Sequence, residues 1–303
     1  MNAVEIREVT KRFGEQAAVV GLSLDVPQGS IYGFIGPNGS GKTTTLRMIM
    51  NIFLPDQGSV RVLGSEARGS RRENVGYLPE ERGLYKKMKV GEVLRFYGEL
   101  RGGRRVDREV DDWLGRLDLA DRSDSKVEAL SKGMAQKAQF IAAVVPRPDL
   151  LILDEPFTGL DPVNAEVIRG AILELRSQGT TVLLSTHDMG VAETLCDFIF
   201  MIFRGRKVLD GTLASIQEAY GQDTLRVRCE GGAAALRGLA GVERVRDLGR
   251  VQELRMTPGG DPQAVLRELL ARTRVEGFEI ASPSLHDIFV RIAGPEAEEG
   301  ALA

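Results

Sequence analysis

The sequence contains very few of the side chains that bind transition metals or form disulfides. Among its 303 residues there are two cysteines and two histidines, namely Cys196, Cys229, His187 and His286. The cysteines stand alone rather than at the short spacings of zinc sites, so neither a His/Cys metal cluster nor a disulfide framework is expected. Both cysteines are interpreted as small buried hydrophobic residues.

A surplus of basic residues and a long apolar run are also missing. The net charge of −3 excludes a general basic field for nucleic acid. The most apolar stretch, 198–203, has six residues, whereas a membrane helix needs about 20. The first residues lack the basic and apolar regions of a signal peptide. We therefore expect a cytoplasmic protein that reaches any membrane through a partner.

Short, branched apolar runs alternate with helical segments in the first part of the chain. The runs at 30–35, 150–153 and 180–185 are bounded by turn residues, which is typical of strands buried on both faces of a parallel sheet. A helix is expected at 42–51. A second helix, with Asp161 as N-cap followed by a proline, is expected to end near residue 177. The fold class is therefore α/β.

The composition shifts after Gly221, and the segments that follow predict a second, smaller domain. Strands are expected at 224–229, 242–248, 251–257 and 275–281, and helices at 232–240 and 261–272. This β-α-β-β-α-β order is the split-βαβ plan of ferredoxin-like domains. Residues 284–287 resemble a capping box that opens a last helix to about residue 292. The predicted domains are 1–220, a small α+β accessory domain at 221–292, and a frayed tail at 293–303.

A glycine-rich turn follows the first of these strands and matches the pattern G-x-x-x-x-G-K-[ST]. The residues of the turn and of the helix start are Gly36, Pro37, Asn38, Gly39, Ser40, Gly41, Lys42, Thr43 and Thr44. Glycines let successive N–H groups point at phosphate oxygens, and the helix presents its positive N-terminus to the same anion. Lys42 is expected to neutralise the β- and γ-phosphates, and Thr43 to ligate magnesium. Chance would supply on the order of 0.01 matches, which disfavours the alternative of an ordinary glycine turn.

Two carboxylates end the strand predicted at 150–153. Asp154 at such a strand end can hold magnesium, and Glu155 can orient or deprotonate the attacking water. An acidic pair at a strand end is common by itself. Downstream of a phosphate loop it favours a catalytic interpretation.

Between the two motifs, residues 130–137 read Leu-Ser-Lys-Gly-Met-Ala-Gln-Lys and resemble the signature of ATP-binding cassette proteins, usually written L-S-G-G-Q. Ser131 and Gly133 are kept, whereas Lys132 and Met134 replace the first glycine and the glutamine. The resemblance continues in order over nearly the first 215 residues. It covers Phe13 at the adenine-stacking position, 77–80 at the Q-loop with Glu80 for glutamine, 158–161 at the D-loop, and 185–188 at the switch segment with His187.

The resemblance implies a P-loop cassette with a helical signature subdomain, followed here by the small ferredoxin-like domain. It implies that ATP is sandwiched between the phosphate loop of one cassette and the signature of a second copy, where Ser131 and Gly133 contact the γ-phosphate. Glu155, Lys42 and His187 would then be catalytic. Mg²⁺ would be held by Thr43, Asp154 and Glu80.

Three further features resemble those of the subgroup of cassettes that powers small exporters, including the sodium-export type. They are residues 78–85, the Ser-Lys-Gly form of the signature, and a small C-terminal domain ending near residues 283–286. The implied function is that of an ATP-hydrolysing exporter subunit, homodimeric in its working form, on the cytoplasmic face of the membrane. Its partner would be a separate membrane-spanning permease, and no nucleic acid is expected. The cargo does not follow, because the motor is shared by many transporters.

Several alternatives stay open at this point. The whole chain could act as a soluble cassette ATPase on ribosomes or DNA, although no sustained heptads suggest an inserted coiled coil. An importer motor is a further possibility, whereas a cassette without turnover would need Lys42 or Glu155 to be lost. Individual residues have simpler interpretations too. Phe13 could be core, His187 a satisfied loop residue, and Glu80 a surface partner of Arg82; Leu84, Tyr85 and Met88 could form either a docking surface or internal packing.

Overall fold

The computed structural model describes residues 1–66, 74–81, 83–102, 105–221 and 223–294. The strands are β1 Asn2–Phe13, β2 Gln16–Pro27, β3 Ile31–Ile35, β4 Gln57–Val62, β5 Ser65–Glu66, β6 Val75–Leu78, β7 Leu150–Asp154, β8 Thr181–Thr186, β9 Phe198–Phe203, β10 Arg206–Gly211, β11 Thr224–Cys229, β12 Val242–Asp247, β13 Gln252–Met256 and β14 Val275–Ala281. The α-helices are α1 Lys42–Ile49, α2 Val90–Gly102, α3 Asp107–Arg116, α4 Lys132–Val144, α5 Pro162–Ser177, α6 Met189–Leu195, α7 Leu213–Tyr220, α8 Pro262–Arg272 and α9 Leu285–Ala293.

The chain divides into two compact units, Met1–Thr212 and Leu213–Ala303. Helix α7 belongs to the second unit, where the Gln217 side-chain amide donates to the Pro283 carbonyl at 3.0 Å. The units therefore divide at residue 212, whereas the composition shift indicates a boundary at 220, and α7 accounts for the difference. Most of the tail predicted to be frayed, from residue 295 onward, lies outside the described residues. Across the described part of the chain, no helix is both long and apolar enough to span a bilayer.

A mostly parallel sheet forms the centre of the first unit, with β10-β9-β3-β8-β7-β6 as its order among the described residues. Strands β3, β7 and β8 are buried along their whole lengths, as their continuous branched apolar sequences predict. Because β3, β7 and β8 run parallel to one another, their carboxyl ends meet at one edge of the sheet. The phosphate loop, the acidic pair and the switch segment all follow these ends, so the α/β prediction is confirmed and the three motifs lie together.

Two further layers complete the first unit. An antiparallel sheet, with the order β2-β1-β4-β5, shares a core with α1 through apolar residues such as Leu22, Val60 and Leu46. Helices α2, α3 and α4 form the helical subdomain around a second core, in which the Trp113 and Phe140 rings meet edge to face at 6.0 Å. The helical signature subdomain that the resemblance implies is thus present, whereas the antiparallel sheet is not among the predicted elements.

The second unit contains an antiparallel sheet with the strand order β12-β13-β11-β14 in its described part. This order matches the ferredoxin-like plan, and the predicted capping box at Ser284 and Asp287 is present. The helix predicted at 232–240 is wrong, because only a 3₁₀ turn forms at Gly232–Ala234. Gly231, Gly232 and Gly238 all adopt positive φ, at 83°, 52° and 66°, which a right-handed helix does not allow.

Candidate nucleotide-binding and catalytic site

The glycine-rich turn between β3 and α1 has a backbone that only glycine fits at two positions. A Cβ atom on Gly36 would lie 2.2 Å from the Ile202 carbonyl oxygen. A Cβ on Gly41, whose φ is 109°, would lie 2.6 Å from the Ala18 carbonyl oxygen. The loop is therefore pressed against its neighbours, and no side chain of the described residues caps the start of α1. This is the geometry that phosphate binding at a helix N-terminus requires.

Lys42 is buried at this helix start, with only 6% of its surface exposed. Its Nζ donates to the carbonyl oxygens of Gly36, at 2.6 Å, and Pro37, at 3.2 Å. Burial lowers the pKa of Lys42 below its ordinary value, while the negative charges of Glu155, Asp154 and Glu80 act in the opposite direction. The ammonium group is thus held beneath the loop, facing the site where phosphate charge would compensate its desolvation.

Asp154 is the last residue of β7 and is almost fully buried, at 1% exposed. Neither of its carboxylate oxygens has a hydrogen-bond partner among the residues the structure describes. A buried carboxylate without partners is costly, and such groups are rare unless they bind an ion or water. The position therefore suits a cation ligand.

Glu155 follows in a backbone conformation that is strained for a side-chain-bearing residue, with φ at 52°. Strain of this kind costs about 1–3 kcal/mol and concentrates at functional sites. The conformation directs a carboxylate that is 7% exposed toward two cationic or polar partners. Its Oε1 lies 2.9 Å from His187 Nδ1 and 4.0 Å from Lys42 Nζ.

The switch segment is tied to this acidic pair through the main chain as well. The Glu155 N–H donates to the Ser185 carbonyl at 3.0 Å, across the ends of β7 and β8. The side chain of His187 is 55% exposed, so one face of the ring is accessible from solvent. His187 is therefore joined to the acidic pair, because its Nδ1 contacts the Glu155 carboxylate.

A cleft of about 540 Å³ opens above the phosphate loop. Its walls include most of the predicted phosphate and metal residues: Asn38, Gly39, Gly41, Lys42, Thr43, Thr44, Glu80, Asp154 and Glu155. The buried residues Gly36 and Ser40 lie within the loop rather than on the wall, and Pro37 is partly buried beside them. The structure thus brings together the residues that sequence reasoning assigned to phosphate, magnesium and water.

Five wall residues were missed by sequence reasoning: Gln16, Ala17, Ala18, Arg204 and Gly205. Main-chain bonds hold these segments over the loop, because the Gly205 N–H donates to the Ser40 carbonyl and the Val20 N–H to the Gly205 carbonyl, both at 2.9 Å. They come from the start of β2 and from the turn between β9 and β10. No motif marks either segment, so only strand pairing could reveal them.

Phe13 lies beside the cleft rather than in its wall. The residue ends β1, pairs with Gln16 of the wall across the turn, and is 48% exposed. Its ring meets the Phe53 ring edge to face at 5.3 Å, and Lys11 Nζ lies 5.7 Å from its centroid. Phe13 is therefore not a core residue, and its exposed half remains accessible to a planar ring.

Ser131 and Gly133 do not line the cleft of their own chain. Ser131 is exposed and caps α4, with its Oγ accepting from the Met134 N–H at 3.3 Å. The Lys132 side chain lies directly over Gly159, since a Cβ on that glycine would be 2.3 Å from Lys132 Cε. The signature thus lies at the surface beside the 158–161 turn and does not contribute Ser131 or Gly133 to the cleft above the phosphate loop.

Glu80 is exposed and lines two neighbouring clefts, the one above the phosphate loop and a second of about 340 Å³. The second cleft is also lined by Glu81, Lys132, Gln136, Glu155 and Thr158. The alternative partner of Glu80, Arg82, lies outside the described residues. Glu80 and Glu155 therefore stand at the junction between the phosphate cleft and the signature helix.

The three residues considered as a docking surface divide into two groups. Leu84 and Met88 are partly buried and pack against the core of the helical subdomain. Tyr85 is 55% exposed and stacks on Tyr97 with ring centroids 6.1 Å apart. Internal packing thus accounts for two of them, and only Tyr85 faces outward.

The fold and this site define a P-loop ATPase cassette, and comparison with known proteins agrees. Residues 19–158 match the family model described as ABC transporter, and residues 211–293 match that of the ATP-binding protein DrrA1-3-like C-terminal domain. An uncharacterised ABC transporter ATP-binding protein of Bacillus subtilis (strain 168), YhaQ, is 38% identical over 291 residues, which cover 95% of this chain and 98% of that protein.

Two other comparisons extend this result. The Nod factor export ATP-binding protein I of Rhizobium sp. (strain N33) is 34% identical over 98% of this chain and 99% of that protein. A solved structure described as the ATP-binding subunit of an ABC transporter is 31% identical, with a TM-score of 0.69, covering 72% of this chain and 93% of that one. The chain belongs to the ABC transporter ATP-binding protein family. It is an ATP-binding and ATP-hydrolysing transporter subunit.

Proposed function

We propose that this chain is the nucleotide-driven motor of an exporter, and that its hydrolytic centre is built on Glu155. One observation carries the proposal. A buried glutamate in a strained conformation contacts His187 and lies near Lys42, at the wall of the phosphate cleft. Such an arrangement suits in-line attack of water on a γ-phosphate, for which catalysis is mainly positioning and charge stabilisation.

The contact between Glu155 and His187 supports distinct roles for the two residues. An ionised carboxylate only accepts hydrogen bonds, so in a bond to it the imidazole carries its proton on Nδ1. The Oε2 of Glu155 accepts from Thr158 Oγ1 at 3.5 Å and has a second lone pair with which to accept from the attacking water. We assign Glu155 as the group that orients or deprotonates water. We assign His187 as the residue that positions Glu155 and contacts the γ-phosphate, and Lys42 as the residue that neutralises the β- and γ-phosphates.

The donor set fits a magnesium ion that arrives with ATP. Asp154 has two buried oxygens that find no partner in the described part of the chain, Thr43 supplies a hydroxyl in the same cleft, and Glu80 adds a carboxylate at its edge. These are the hard oxygen ligands that Mg²⁺ prefers, and the phosphates complete such sites. When bound, the metal would neutralise charge on the phosphate oxygens. We assign Thr43, Asp154 and Glu80 as its protein ligands.

The exposed signature supports a dimer of cassettes. Ser131 and Gly133 lie outside the cleft of their own chain, although the family resemblance assigns them to a γ-phosphate. A second copy can bring its signature to that phosphate, which would close ATP between the two chains. Binding energy would then favour the closed dimer, and hydrolysis would reopen it. In the same sandwich, Phe13 would stack on adenine.

An exposed aromatic patch supports docking of a membrane-spanning permease. The patch consists of Tyr85, Phe96, Tyr97 and Leu100 on the helical subdomain, and Tyr85, Phe96 and Leu100 are 55%, 42% and 67% exposed. Contiguous apolar surfaces of this kind mark sites of association. A relative named for Nod factor export spans nearly the whole chain, which favours export as the direction. The working place would then be the cytoplasmic face of the membrane.

Two measurements test this function. Purified protein should hydrolyse ATP only with Mg²⁺, and Lys42→Ala should abolish the activity. Tagged protein should also co-purify with a multi-span protein from solubilised membranes, and Tyr85→Ser with Phe96→Ser should reduce that recovery. Val163→Ser is the matched control, since this apolar residue of α5 is 74% exposed. Recovery with ribosomes or DNA instead of a membrane protein would contradict the transporter role.

A further inference from the structure

Two buried glutamines on the signature helix contact the loops that carry the acidic residues of the cleft. Gln136 and Gln139 of α4 are three residues apart, so they share one side of the helix, and they are 4% and 5% exposed. The Gln139 Nε2 donates to the carbonyl oxygens of Pro79, at 3.0 Å, and Glu81, at 3.1 Å. These two residues flank Glu80.

The second glutamine makes the equivalent contact on the other acidic loop. The Gln136 Nε2 donates to the Pro156 carbonyl at 3.1 Å, immediately after Glu155. Because all three acceptors are main-chain carbonyls, only the NH₂ group of each glutamine amide can be the donor. An apolar side chain of similar size could not form these hydrogen bonds. Both loops are therefore bonded to α4, whose N-cap is Ser131 and whose first turn carries Gly133.

The bond pattern at Gln139 is suited to positioning rather than to packing. Strand β6 ends at Leu78, so the peptides around Glu80 lack the ladder of a sheet. One amide that binds the carbonyls on both sides of Glu80 restricts the main chain from which this carboxylate extends into the two clefts. Among the described residues the Oε1 of Gln139 is buried without a hydrogen-bond partner, so Gln139 bears a desolvation cost that a purely apolar core position would avoid.

We infer that Gln139 is a positioning residue that holds Glu80 at the magnesium side of the cleft, while Gln136 holds the turn after Glu155. The inference rests on the proposed function, because it concerns how the metal and water groups of that site are kept in place. Loss of the Gln139 donors releases the main chain around Glu80, so the Glu80 carboxylate contributes less to magnesium binding. Loss of the Gln136 donor acts on turnover through Glu155 instead.

The test is a double-mutant cycle between Gln139→Met and Glu80→Gln, since methionine has a similar length and no donor. The measured quantity is the Mg²⁺ concentration that gives half-maximal ATPase activity at saturating ATP, and the Mg²⁺ dependence of ATP binding is measured beside it as a readout independent of turnover. Each single change should raise this concentration, Gln139→Met by roughly fivefold to thirtyfold as two hydrogen bonds are lost. The Mg²⁺ requirement of the double variant should lie within twofold of that of the single variant with the higher requirement, because both changes remove the same group from the metal.

The matched control is Gln252→Met in the second unit. Gln252 is 2% exposed, and its Nε2 also donates to two acceptors, Asp247 Oδ1 at 3.0 Å and the Gly249 carbonyl at 2.8 Å. Its replacement should lower thermal stability as Gln139→Met does, without moving the Mg²⁺ requirement. Gln136→Met should lower turnover with less change in that requirement.

Independent multiplication of the two effects in the cycle would overturn the inference, and so would a Glu80→Gln variant with an unchanged Mg²⁺ requirement. If Gln139→Met does not fold, Gln139→Asn serves in the same cycle, because its shorter side chain keeps the amide but cannot reach both carbonyls. A parent chain without Lys42-dependent ATP hydrolysis would instead refute the proposed function itself. The two failures are thus distinguishable.

Discussion

The cleft of the first unit and the sheet of the second unit differ in how their acidic side chains are arranged. In the first unit, Asp154, Glu155 and Glu80 all line one cleft, and the buried carboxylate of Asp154 has no hydrogen-bond partner among the residues that the structure describes. In the second unit, acidic groups face basic ones. Arg291 forms a two-pronged bond with Asp223, at 2.9 and 3.1 Å, and Arg226 lies 3.5 Å from Glu253.

This difference distinguishes charged residues that are arranged to bind a ligand from charged residues that stabilise the fold. Convergent like charges oppose folding unless a ligand of opposite charge compensates them, so they indicate a site that is completed by something bound. Paired charges on a sheet satisfy each other and add modest stability. The first unit is therefore expected to respond strongly to changes at single charged residues, and the second unit to respond mainly in stability.

The largest expected effect is that of Glu155→Gln in the first unit. The change keeps the shape of the side chain and removes its charge, so turnover should fall by about 10²- to 10⁴-fold while ATP still binds. Steady-state ATP hydrolysis and nucleotide binding measure the two quantities. Glu166→Gln is the control, since Glu166 on α5 forms an exposed pair with Arg169 and should leave turnover unchanged. Turnover of Glu155→Gln within a few-fold of the parent would remove Glu155 from the chemistry.

Next in size is the effect of adding a methyl group at Gly36. The new Cβ would lie 2.2 Å from a main-chain oxygen, so Gly36→Ala should lower the free energy of unfolding by about 2–3 kcal/mol and weaken ATP binding. Denaturant unfolding measures the loss.

Gly249 of the second unit offers the comparison for that change. It has a φ of 86° but no atom within 4 Å of an added Cβ, so Gly249→Ala should cost only about 1 kcal/mol of left-handed strain. Equal losses for the two variants would show that the phosphate loop is no more tightly packed than an open turn.

A smaller effect is expected from Arg291→Met in the second unit. The Arg291 side chain is 16% exposed and makes charged bonds to Asp223, so its loss should lower the free energy of unfolding by about 1–3 kcal/mol. ATP hydrolysis should stay within twofold of the parent. Arg228→Met, which removes an exposed pair with Glu276, should cost less than about 1 kcal/mol. A large loss of hydrolysis in a folded Arg291→Met variant would contradict the separation of roles.

The smallest expected effect distinguishes the two cysteines, one in each unit. Burial raises the pKa of Cys196 to about 12. Partial burial also raises the pKa of Cys229. At pH 8 the Cys196 thiol is ionised to only about 10⁻⁴, so a thiol reagent should modify Cys229 at least about tenfold faster. Labelling followed by peptide mapping measures both rates. Faster labelling of Cys196 would contradict its burial.

The raised pKa also predicts a direction for stability. The native thiol keeps its proton to higher pH than the unfolded thiol, whose ordinary value is 9.0. The contribution of Cys196 is therefore fully present below about pH 9 and declines as the pH rises toward about 12. A Cys196→Ala variant should lose less stability than the parent over this range in thermal unfolding experiments.

Local sequence signals predicted much of this molecule. The N-cap Asp161 and the capping box at Ser284 form as expected, because a side chain three residues from an amide reaches it without help from the rest of the fold. The helix predicted at 232–240 fails for an equally local reason, since glycines with positive φ interrupt it. The antiparallel sheet of β1, β2 and β4 was not predicted, and its pairing of β1 with β4 joins residues far apart in the chain, such as Ile6 and Val60.

The sequence by itself determined the phosphate loop and the strand-end carboxylates, because each depends on neighbouring residues and a short buried strand, whereas the resemblance to the cassette family located the switch histidine. Only the tertiary structure decided which distant groups complete the site. The wall at Ala18 and Arg204 comes from strand pairing. The bonds from Gln139 to the Glu80 loop join residues about 60 apart in the sequence, through a side chain that leaves no periodic signal. Contacts of this kind arise when helix α4 packs against strand β6, and the spacing of residues along the chain carries no record of them.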